Sequence, residues 1–224
     1  RIPKDRLKET LKEFEWLNVQ GYSVTIPHKA GALELADEAD EASKKMGVAN
    51  TLFKDEKNAW QARNTDYDAA LDSIRLGLDP QGKATTDPIN GKQVLLAGGV
   101  SRAIGAGIVA AGGVLTVSNR SRTRGEQLAK DLGCNHCTWE NRGSGRYDIL
   151  VNGTAVGMYP NVNDTPFAQN FMQEEMLVFD TVYNPENTLL LKQARERGCK
   201  TVSGIEMFVR QAAAQYKLFT GKEA

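Results

Sequence analysis

A lysine that follows directly on a predicted strand is the first residue of this chain that could carry chemistry. The β-branched residues Val24 and Ile26 alternate with polar residues, a period of two that predicts a strand, and Pro27 ends it. Lys29 then stands just beyond the strand, where its ammonium group could donate a proton or stabilise a developing negative charge. Spacing alone favours a solvated lysine at the start of a helix, so the assignment depends on the rest of the chain.

A glycine-rich loop is the second candidate site. The segment 97–103 (AGGVSRA) lies between a predicted strand at 94–97 and a predicted helix at 102–111. Backbone N–H groups at the start of such a helix can bind a pyrophosphate, and the glycines allow it to approach closely. Glycine pairs also occur in ordinary tight turns, but the order strand, loop, helix and strand favours a dinucleotide site.

The next predicted strand, at 114–118, is followed by Asn119 and Arg120. An NAD site would place an acidic residue here to accept from the ribose 2′-hydroxyl, whereas a guanidinium group suits a 2′-phosphate. NADP(H) is therefore the predicted cofactor. The alternative is a solvated arginine cluster with Arg122 and Arg124, which is less favourable because cations are disfavoured at a helix N-terminus.

The composition argues against nucleic acid and membrane partners. The 224 residues contain 28 Lys and Arg against 28 Asp and Glu, so no net positive field attracts a polyanion. No apolar run has the length of a membrane span and no secretory signal is visible, so we expect a cytoplasmic protein.

Cys134 and Cys137 have the spacing of zinc ligands but lack a second ligand pair, so no metal is predicted. Both are interpreted as strand residues in a reducing compartment.

Strands and helices alternate along the second half of the chain, which predicts an α/β fold with a doubly wound, mostly parallel sheet. A segment rich in Pro, Gly, Asp and Thr at 79–92 predicts a domain boundary. Before it, helices are predicted within 3–17, 31–46 and 64–76, and strands ending at Ile26 and at 50–53 and 60–62. After it, further strands are predicted at 148–152, 177–180 and 201–203, and helices at 122–132, 187–197 and 205–219.

Taken together, these motifs resemble the shikimate dehydrogenase family. They occur in order over essentially the whole chain: SVTIPHK at 23–29, GVANT at 47–51, NTD at 64–66, GG at 98–99, NRS at 119–121, VNGTAVGM at 151–158, VYNP at 182–185 and GIEMFVRQ at 204–211. The C-terminal part is most similar to the dehydrogenase half of bifunctional 3-dehydroquinate dehydratase/shikimate dehydrogenases.

The resemblance implies a fold and a reaction. It implies a Rossmann-like NADP-binding domain at 89–203 and a truncated α/β substrate-binding and catalytic domain at 1–88, with a C-terminal helix within 204–224 that packs back on the first domain. The implied reaction is the reversible, NADPH-dependent reduction of 3-dehydroshikimate to shikimate in the shikimate pathway of aromatic amino acid biosynthesis. The implied state is a monomer or homodimer, fused to or partnered with a dehydroquinate dehydratase domain.

The resemblance also implies a role for individual positions. Lys29 and Asp66 would form the catalytic pair that contacts the hydroxyl or ketone being interconverted. The implied substrate ligands are Thr25, Asn50, Tyr183 and Gln211. The implied cofactor ligands are Ala97, Gly98, Gly99, Val100, Ser101, Arg102, Asn119, Arg120, Ser121, Thr154, Met158 and Gly204.

The sequence departs from the family pattern at two points. The family begins with a unit that carries a Ser-x-Ser pair, and none precedes Lys29, so we expect the chain to be N-terminally incomplete. The phosphate loop of the family begins Gly-Ala-Gly-Gly, whereas Leu96 stands at the first position here, which is expected to weaken cofactor binding. Two alternatives therefore stay open: an NAD-linked quinate/shikimate dehydrogenase, and a non-catalytic nucleotide-binding remnant.

Overall fold

The computed structural model describes residues 2–98 and 102–224, which form two compact units. The first unit comprises 1–68 and 210–224, and the second comprises 69–209. The predicted boundary at 88/89 falls inside the second unit and remains a prediction about independently folding domains. Gly99, Val100 and Ser101, three of the predicted cofactor ligands, lie outside the described residues.

The first unit is built on a small mixed sheet. Its strands are β1 (Gly21–Ser23), β2 (Glu38–Ala39), β3 (Thr51–Lys54) and β4 (Trp60–Arg63), in the order β1-β3-β4-β2. β3 pairs antiparallel with both β1 and β4, while β2 pairs parallel with β4. The helices are α1 (Leu7–Glu13), α2 (Lys29–Leu35) and α3 (Glu41–Met46), and the core between sheet and helices contains Ala32, Ala49, Leu52 and Ala62.

Two of the predicted elements in this unit are shorter than expected. The first strand ends at Ser23 because a turn begins at Thr25, whose carbonyl accepts from His28 N at 2.8 Å. The peptide bond before Pro27 is cis. The predicted helix over 3–17 is divided into a 3-10 turn, α1 and a second 3-10 turn that ends where Asn18 adopts a left-handed conformation.

The second unit contains a six-stranded sheet in which every neighbouring pair is parallel. This confirms the predicted α/β, doubly wound fold. The strand order is β10-β9-β8-β5-β6-β7. The strands are β5 (Gln93–Ala97), β6 (Val114–Asn119), β7 (Asn135–Thr138), β8 (Ile149–Asn152), β9 (Leu177–Asp180) and β10 (Lys200–Val202). The helices α5 (Arg102–Ala110), α6 (Arg122–Leu132) and α7 (Leu189–Glu196) lie in this unit, whereas α4 (Thr65–Leu78) begins in the first unit and ends in the second, and α8 (Gly204–Thr220) begins in the second and ends in the first.

The order of the strands places a switch point between β5 and β8. From β5 the chain adds β6 and β7 on one side, and it then returns to add β8, β9 and β10 on the other. In open α/β sheets, ligands bind in the crevice beyond the carboxyl ends of the strands at such a point. Leu96, expected in the phosphate loop, instead lies inside β5, fully buried and paired with Val117 and Val151. Its predicted effect on cofactor binding stays a prediction.

The C-terminal helix α8 returns to the first unit, as predicted. Gln215, on its penultimate turn, is buried and donates to Asn50 O at 3.2 Å and to Thr51 Oγ1 at 2.9 Å. Among the described residues, no helix combines the length and the hydropathy needed to cross a lipid bilayer.

Candidate active site

Lys29 and Asp66 form an ion pair in the first unit. Lys29 Nζ donates to Asp66 Oδ2 at 2.5 Å, and the two side chains are 27% and 22% exposed. Lys29 is the first residue of α2, directly after the turn that contains Pro27, and Asp66 lies in the first turn of α4. A partly buried ammonium group held by a carboxylate, yet open to a ligand, can protonate an oxygen that gains negative charge.

Asn50 fixes the start of the helix that carries Asp66. It is 3% exposed, and its Oδ1 accepts from Thr65 N at 2.8 Å, from Thr65 Oγ1 at 3.2 Å and from Thr51 Oγ1 at 2.8 Å. A side-chain oxygen that accepts from a backbone N–H in the first turn acts as a helix cap, although it comes here from a distant residue. The interactions of Asn50 within the protein therefore position Asp66. Its predicted role in holding a substrate hydroxyl stays a prediction.

Two glutamines of α8 lie on the same side of the helix, four residues apart, and both approach this network. Gln211 Oε1 is 3.5 Å from Thr65 Oγ1, and Gln215 makes the two bonds to Asn50 and Thr51 described above. Gln211 was a predicted ligand, while Thr65 and Gln215 were not. The spacing of four residues was the signal that could have identified Gln215.

Thr25 is brought to a different part of the first unit. It is exposed and, with Tyr22 and Pro27, lines a largely apolar cavity of about 280 Å³ beside β1. Its backbone carbonyl closes the turn that precedes Lys29. The hydroxyl of Thr25 makes no hydrogen bond to another described residue.

In the second unit, the loops after β5 and β8 come into close contact. Gly98 has a φ of +110°, and a Cβ built on it would lie 2.5 Å from Gly153 O. Only glycine fits this position, because a side chain would both strain the backbone and collide with the neighbouring loop. Ala97, the last residue of β5, is fully buried. This contact lies at the switch point between β5 and β8, where open α/β sheets bind their ligands.

The loop after β9 carries two more of the predicted residues. The ring of Tyr183 stacks on Phe208 with centroids 5.3 Å apart, and Tyr183 is 52% exposed. Gly204, at the start of α8, packs against this loop, because a Cβ there would lie 2.5 Å from Val182 O. Met158, on the loop after β8, is 43% exposed and thus free to contact a ligand.

The end of β6 presents the predicted 2′-phosphate site. Asn119 Oδ1 accepts from Ser121 N at 3.0 Å, and Ser121 caps α6. Arg120 is exposed and makes no ion pair with any described residue. Arg122, by contrast, is paired with Glu126 at 2.8 Å, and Arg102 with Asp131. Arg120 is therefore available to an anion, whereas the predicted ligand Arg102 has its charge already compensated.

Two family models match the two ends of the chain. The family described as "Shikimate dehydrogenase substrate binding domain" matches residues 1–52, and "Shikimate 5'-dehydrogenase C-terminal domain" matches residues 204–224. A shikimate dehydrogenase (NADP(+)) from Shouchella clausii is 32% identical over 99% of this chain and 81% of its own length. The chain belongs to the shikimate dehydrogenase family.

Two more similar proteins differ from this chain in length or in the substrate they are named for. The chloroplastic bifunctional 3-dehydroquinate dehydratase/shikimate dehydrogenase of Arabidopsis thaliana is 35% identical over 98% of this chain, which spans only 38% of that longer protein. The structure of quinate dehydrogenase from Corynebacterium glutamicum in complex with NAD superimposes with a TM-score of 0.85 at 30% identity, covering 97% of this chain and 78% of that one. The proteins similar to this chain are thus named for shikimate or for quinate, and one is named with NADP(+) and another with NAD.

The three cysteines of the chain are free thiols. The described residues contain no cluster of His, Cys, Asp and Glu that could hold a metal ion. Cys137 lies on β7, and burial raises the pKa of the neighbouring Cys134 thiol to about 11. A thiol that stays protonated at neutral pH is a poor nucleophile and a poor metal ligand.

Proposed function

We propose that the chain is an NADP-dependent shikimate dehydrogenase, which catalyses the reversible reduction of 3-dehydroshikimate to shikimate. The observation that carries the proposal is the 2.5 Å pair of Lys29 Nζ and Asp66 Oδ2 in a family whose members act on this substrate. The interactions of Asn50 and Thr65 support it, because they fix the position of Asp66.

The proposed chemistry assigns one role to each member of the pair. When bound, NADPH supplies the hydride that reaches the ketone carbon. Lys29 stabilises the negative charge that develops on the ketone oxygen and donates a proton to that oxygen. Asp66 accepts a hydrogen bond from the ammonium group and thereby holds it in one orientation. In the reverse direction Lys29 accepts the proton from the hydroxyl group.

The described residues of the second unit fit NADP. The close glycine contact lies at the switch point, where open α/β sheets bind dinucleotides, and Arg120 beside Asn119, which forms no ion pair with a described residue, suits a 2′-phosphate. Thr154 and Met158 would contact the nicotinamide half of the cofactor, with Gly204 lining the same region. Gln211, Thr25, Asn50 and Tyr183 remain the proposed substrate ligands.

The test is a turnover assay of the purified chain with 3-dehydroshikimate and NADPH, and with shikimate or quinate and NADP⁺ or NAD⁺. We expect turnover with shikimate and a preference for NADP⁺. A preference for quinate and NAD⁺ would establish the quinate dehydrogenase alternative. Tight binding of NADPH without turnover of either substrate would establish the non-catalytic alternative.

The role of Lys29 is tested with a matched lysine variant. Lys29→Ala is expected to lower kcat by about 10²–10⁴-fold with NADPH affinity largely retained, because a positioned proton donor is lost. Lys44→Ala, the control, removes a lysine of α3 whose 3.6 Å pair with Glu41 is exposed to solvent, and it should leave kcat unchanged. Turnover of Lys29→Ala close to that of the control would remove Lys29 from the mechanism.

The proposal extends to partners and location. Fusion to, or association with, a dehydroquinate dehydratase domain is supported by the similarity to the bifunctional Arabidopsis protein. A cytoplasmic location is supported by the three free cysteines, which are typical of a reducing compartment. The assembly is proposed to be a monomer or a homodimer, which sedimentation of the purified chain would distinguish.

A further inference from the structure

We propose that Asp180 is a positioning residue that holds Asn152, and through it the loop 153–158, in the conformation that binds the nicotinamide cofactor. The inference rests on the proposed function for the identity of the cofactor. Neither Asp180 nor Asn152 was among the residues predicted from the sequence.

Asp180 is the fully buried last residue of β9 and accepts three hydrogen bonds. Asn152 Nδ2 donates to its Oδ1 at 2.9 Å, Val182 N donates to the same oxygen at 3.0 Å, and Thr188 Oγ1 donates to Oδ2 at 2.6 Å. All three partners supply a proton, and a carboxylate is the side chain that accepts on both oxygens. The residue therefore joins the end of β8, the loop after β9 and the start of α7.

Asn152 passes this constraint on to the loop after β8. Its Oδ1 accepts from Thr154 N at 3.0 Å and from Thr154 Oγ1 at 2.7 Å, while its Nδ2 donates to Val156 O at 3.1 Å. Thr154 Oγ1 in turn accepts from Val156 N at 3.0 Å. The side chain thus bonds both ends of the segment 154–156, and the bond to Asp180 determines which way its amide points.

This loop is the one that meets Gly98 at the switch point. A Cβ on Gly98 would lie 2.5 Å from Gly153 O and 2.9 Å from Thr154 Cγ2, so the two loops are closely packed at this point. A displacement of Thr154 would therefore change the crevice in which a dinucleotide is expected to bind. Positioning of this kind acts on affinity without a direct contact between Asp180 and the ligand.

The carboxylate has no compensating cation, which argues against a purely stabilising role. No Lys or Arg of the described residues forms an ion pair with Asp180, and burial raises its pKa above 3.8 despite the three hydrogen bonds. A buried charge of this kind costs stability, whereas a fully bonded polar network fixes one arrangement. The network therefore favours a precise loop conformation over maximal stability.

The test compares three variants of Asp180 and its strand. Asp180→Ala removes both carboxylate oxygens as acceptors. Asp180→Asn keeps one oxygen, which can still accept from both Asn152 and Val182. The control Val178→Ala makes a cavity at a fully buried position of the same strand, away from the loop. Hydrogen exchange over 153–158 is measured by mass spectrometry, and NADPH affinity by fluorescence titration.

For Asp180→Ala we expect exchange over 153–158 and the Kd for NADPH to rise about tenfold, since buried donors lose their acceptor. The KM for NADPH should rise with it, while the KM for 3-dehydroshikimate changes less than about twofold. Asp180→Asn should restore most of both values, and Val178→Ala should leave both close to wild type even where its melting temperature is lower.

Unchanged exchange and unchanged NADPH affinity in folded Asp180→Ala would overturn the proposal, as would an equal change in Val178→Ala. If Asp180→Ala does not fold, Thr188→Val removes the hydroxyl that donates to Oδ2 and that also caps α7 by accepting from Leu191 N, and exchange over 153–158 must still rise. Hydrogen exchange and NADPH titration can both be measured without turnover. If the wild type has no dehydrogenase activity, the proposed function is refuted, while these two measurements still test the role of Asp180.

Discussion

Replacement of Asn50 by alanine tests whether the hydrogen-bond network around Asp66 is an energetic anchor of the first unit. Asn50 and Asn64 are both 3% exposed, yet their side chains are used very differently. Asn50 makes a set of short bonds to Thr51 and Thr65. Among the described residues, the Asn64 side chain makes one bond, of 3.3 Å to Val48 O, and its Oδ1 has no partner. The two alanine variants delete the same atoms at equal burial, so the difference between them measures the network.

The expected magnitudes follow from these bonds. In Asn50→Ala the buried N–H of Thr65 loses the acceptor that caps α4, which costs about 1–3 kcal/mol, and the buried hydroxyl of Thr51 loses its acceptor as well, which adds about 1 kcal/mol. We expect a loss of about 3 kcal/mol in the free energy of unfolding. Asn64→Ala loses one weak bond and should cost about 1 kcal/mol.

The assay is urea unfolding followed by tryptophan fluorescence in a Trp139→Phe background. The two remaining tryptophans, Trp16 and Trp60, both lie in the first unit, and Trp60 packs against Tyr22 at 5.6 Å. Equal destabilisation by Asn50→Ala and Asn64→Ala would refute the reasoning, because it would mean that the bonds of Asn50 contribute nothing beyond its burial.

Two further predictions concern charge. Arg120→Ala should raise the KM for NADPH by about 10–100-fold through loss of a charge-assisted bond to the 2′-phosphate, and leave the KM for NADH unchanged. Arg122→Ala, whose guanidinium is already paired with Glu126, is the control, and equal weakening of both cofactors by Arg120→Ala would contradict the assignment. Hydrogen bonds from Arg75 hold the pKa of Asp87 below 3.8, so the stability from this pair is complete above that value and is lost as the pH falls through the lower folded-state pKa. The stability gap between wild type and Asp87→Asn should therefore close as the pH falls below 3.8, and a constant gap in urea unfolding would count against it.

The sequence predicts the second unit better than the first. The buried parallel strands β5, β8 and β9 are short and mostly apolar, and α-helices follow β5, β6 and β9, so much of this pattern is visible without long-range information. The first unit contains strands of two to four residues, too short for a period to be visible. A turn at Thr25 interrupts the predicted strand there, since the alternation of Val24 and Ile26 does not reveal where pairing stops.

The candidate site is also only partly predicted from the sequence. Lys29 and Asp66 are predicted from motifs, and the structure places them in contact across 37 positions of sequence. The residues that hold them or hold the loops, such as Thr65, Gln215 and Asp180, belong to networks between segments far apart in the chain. A side chain of this kind has no local pattern, because its partners are decided by the tertiary fold.

The division of the first unit into 1–68 and 210–224 has a consequence for how the protein folds during synthesis. The second unit is one continuous segment, 69–209, and all of it leaves the ribosome before the end of α8. Gln215 reaches Asn50 across 165 positions, so the small sheet lacks this partner until α8 has been synthesised. Long-range closure of this kind is slow, and we expect the parallel sheet to fold first and the unit that carries Lys29 to be completed last.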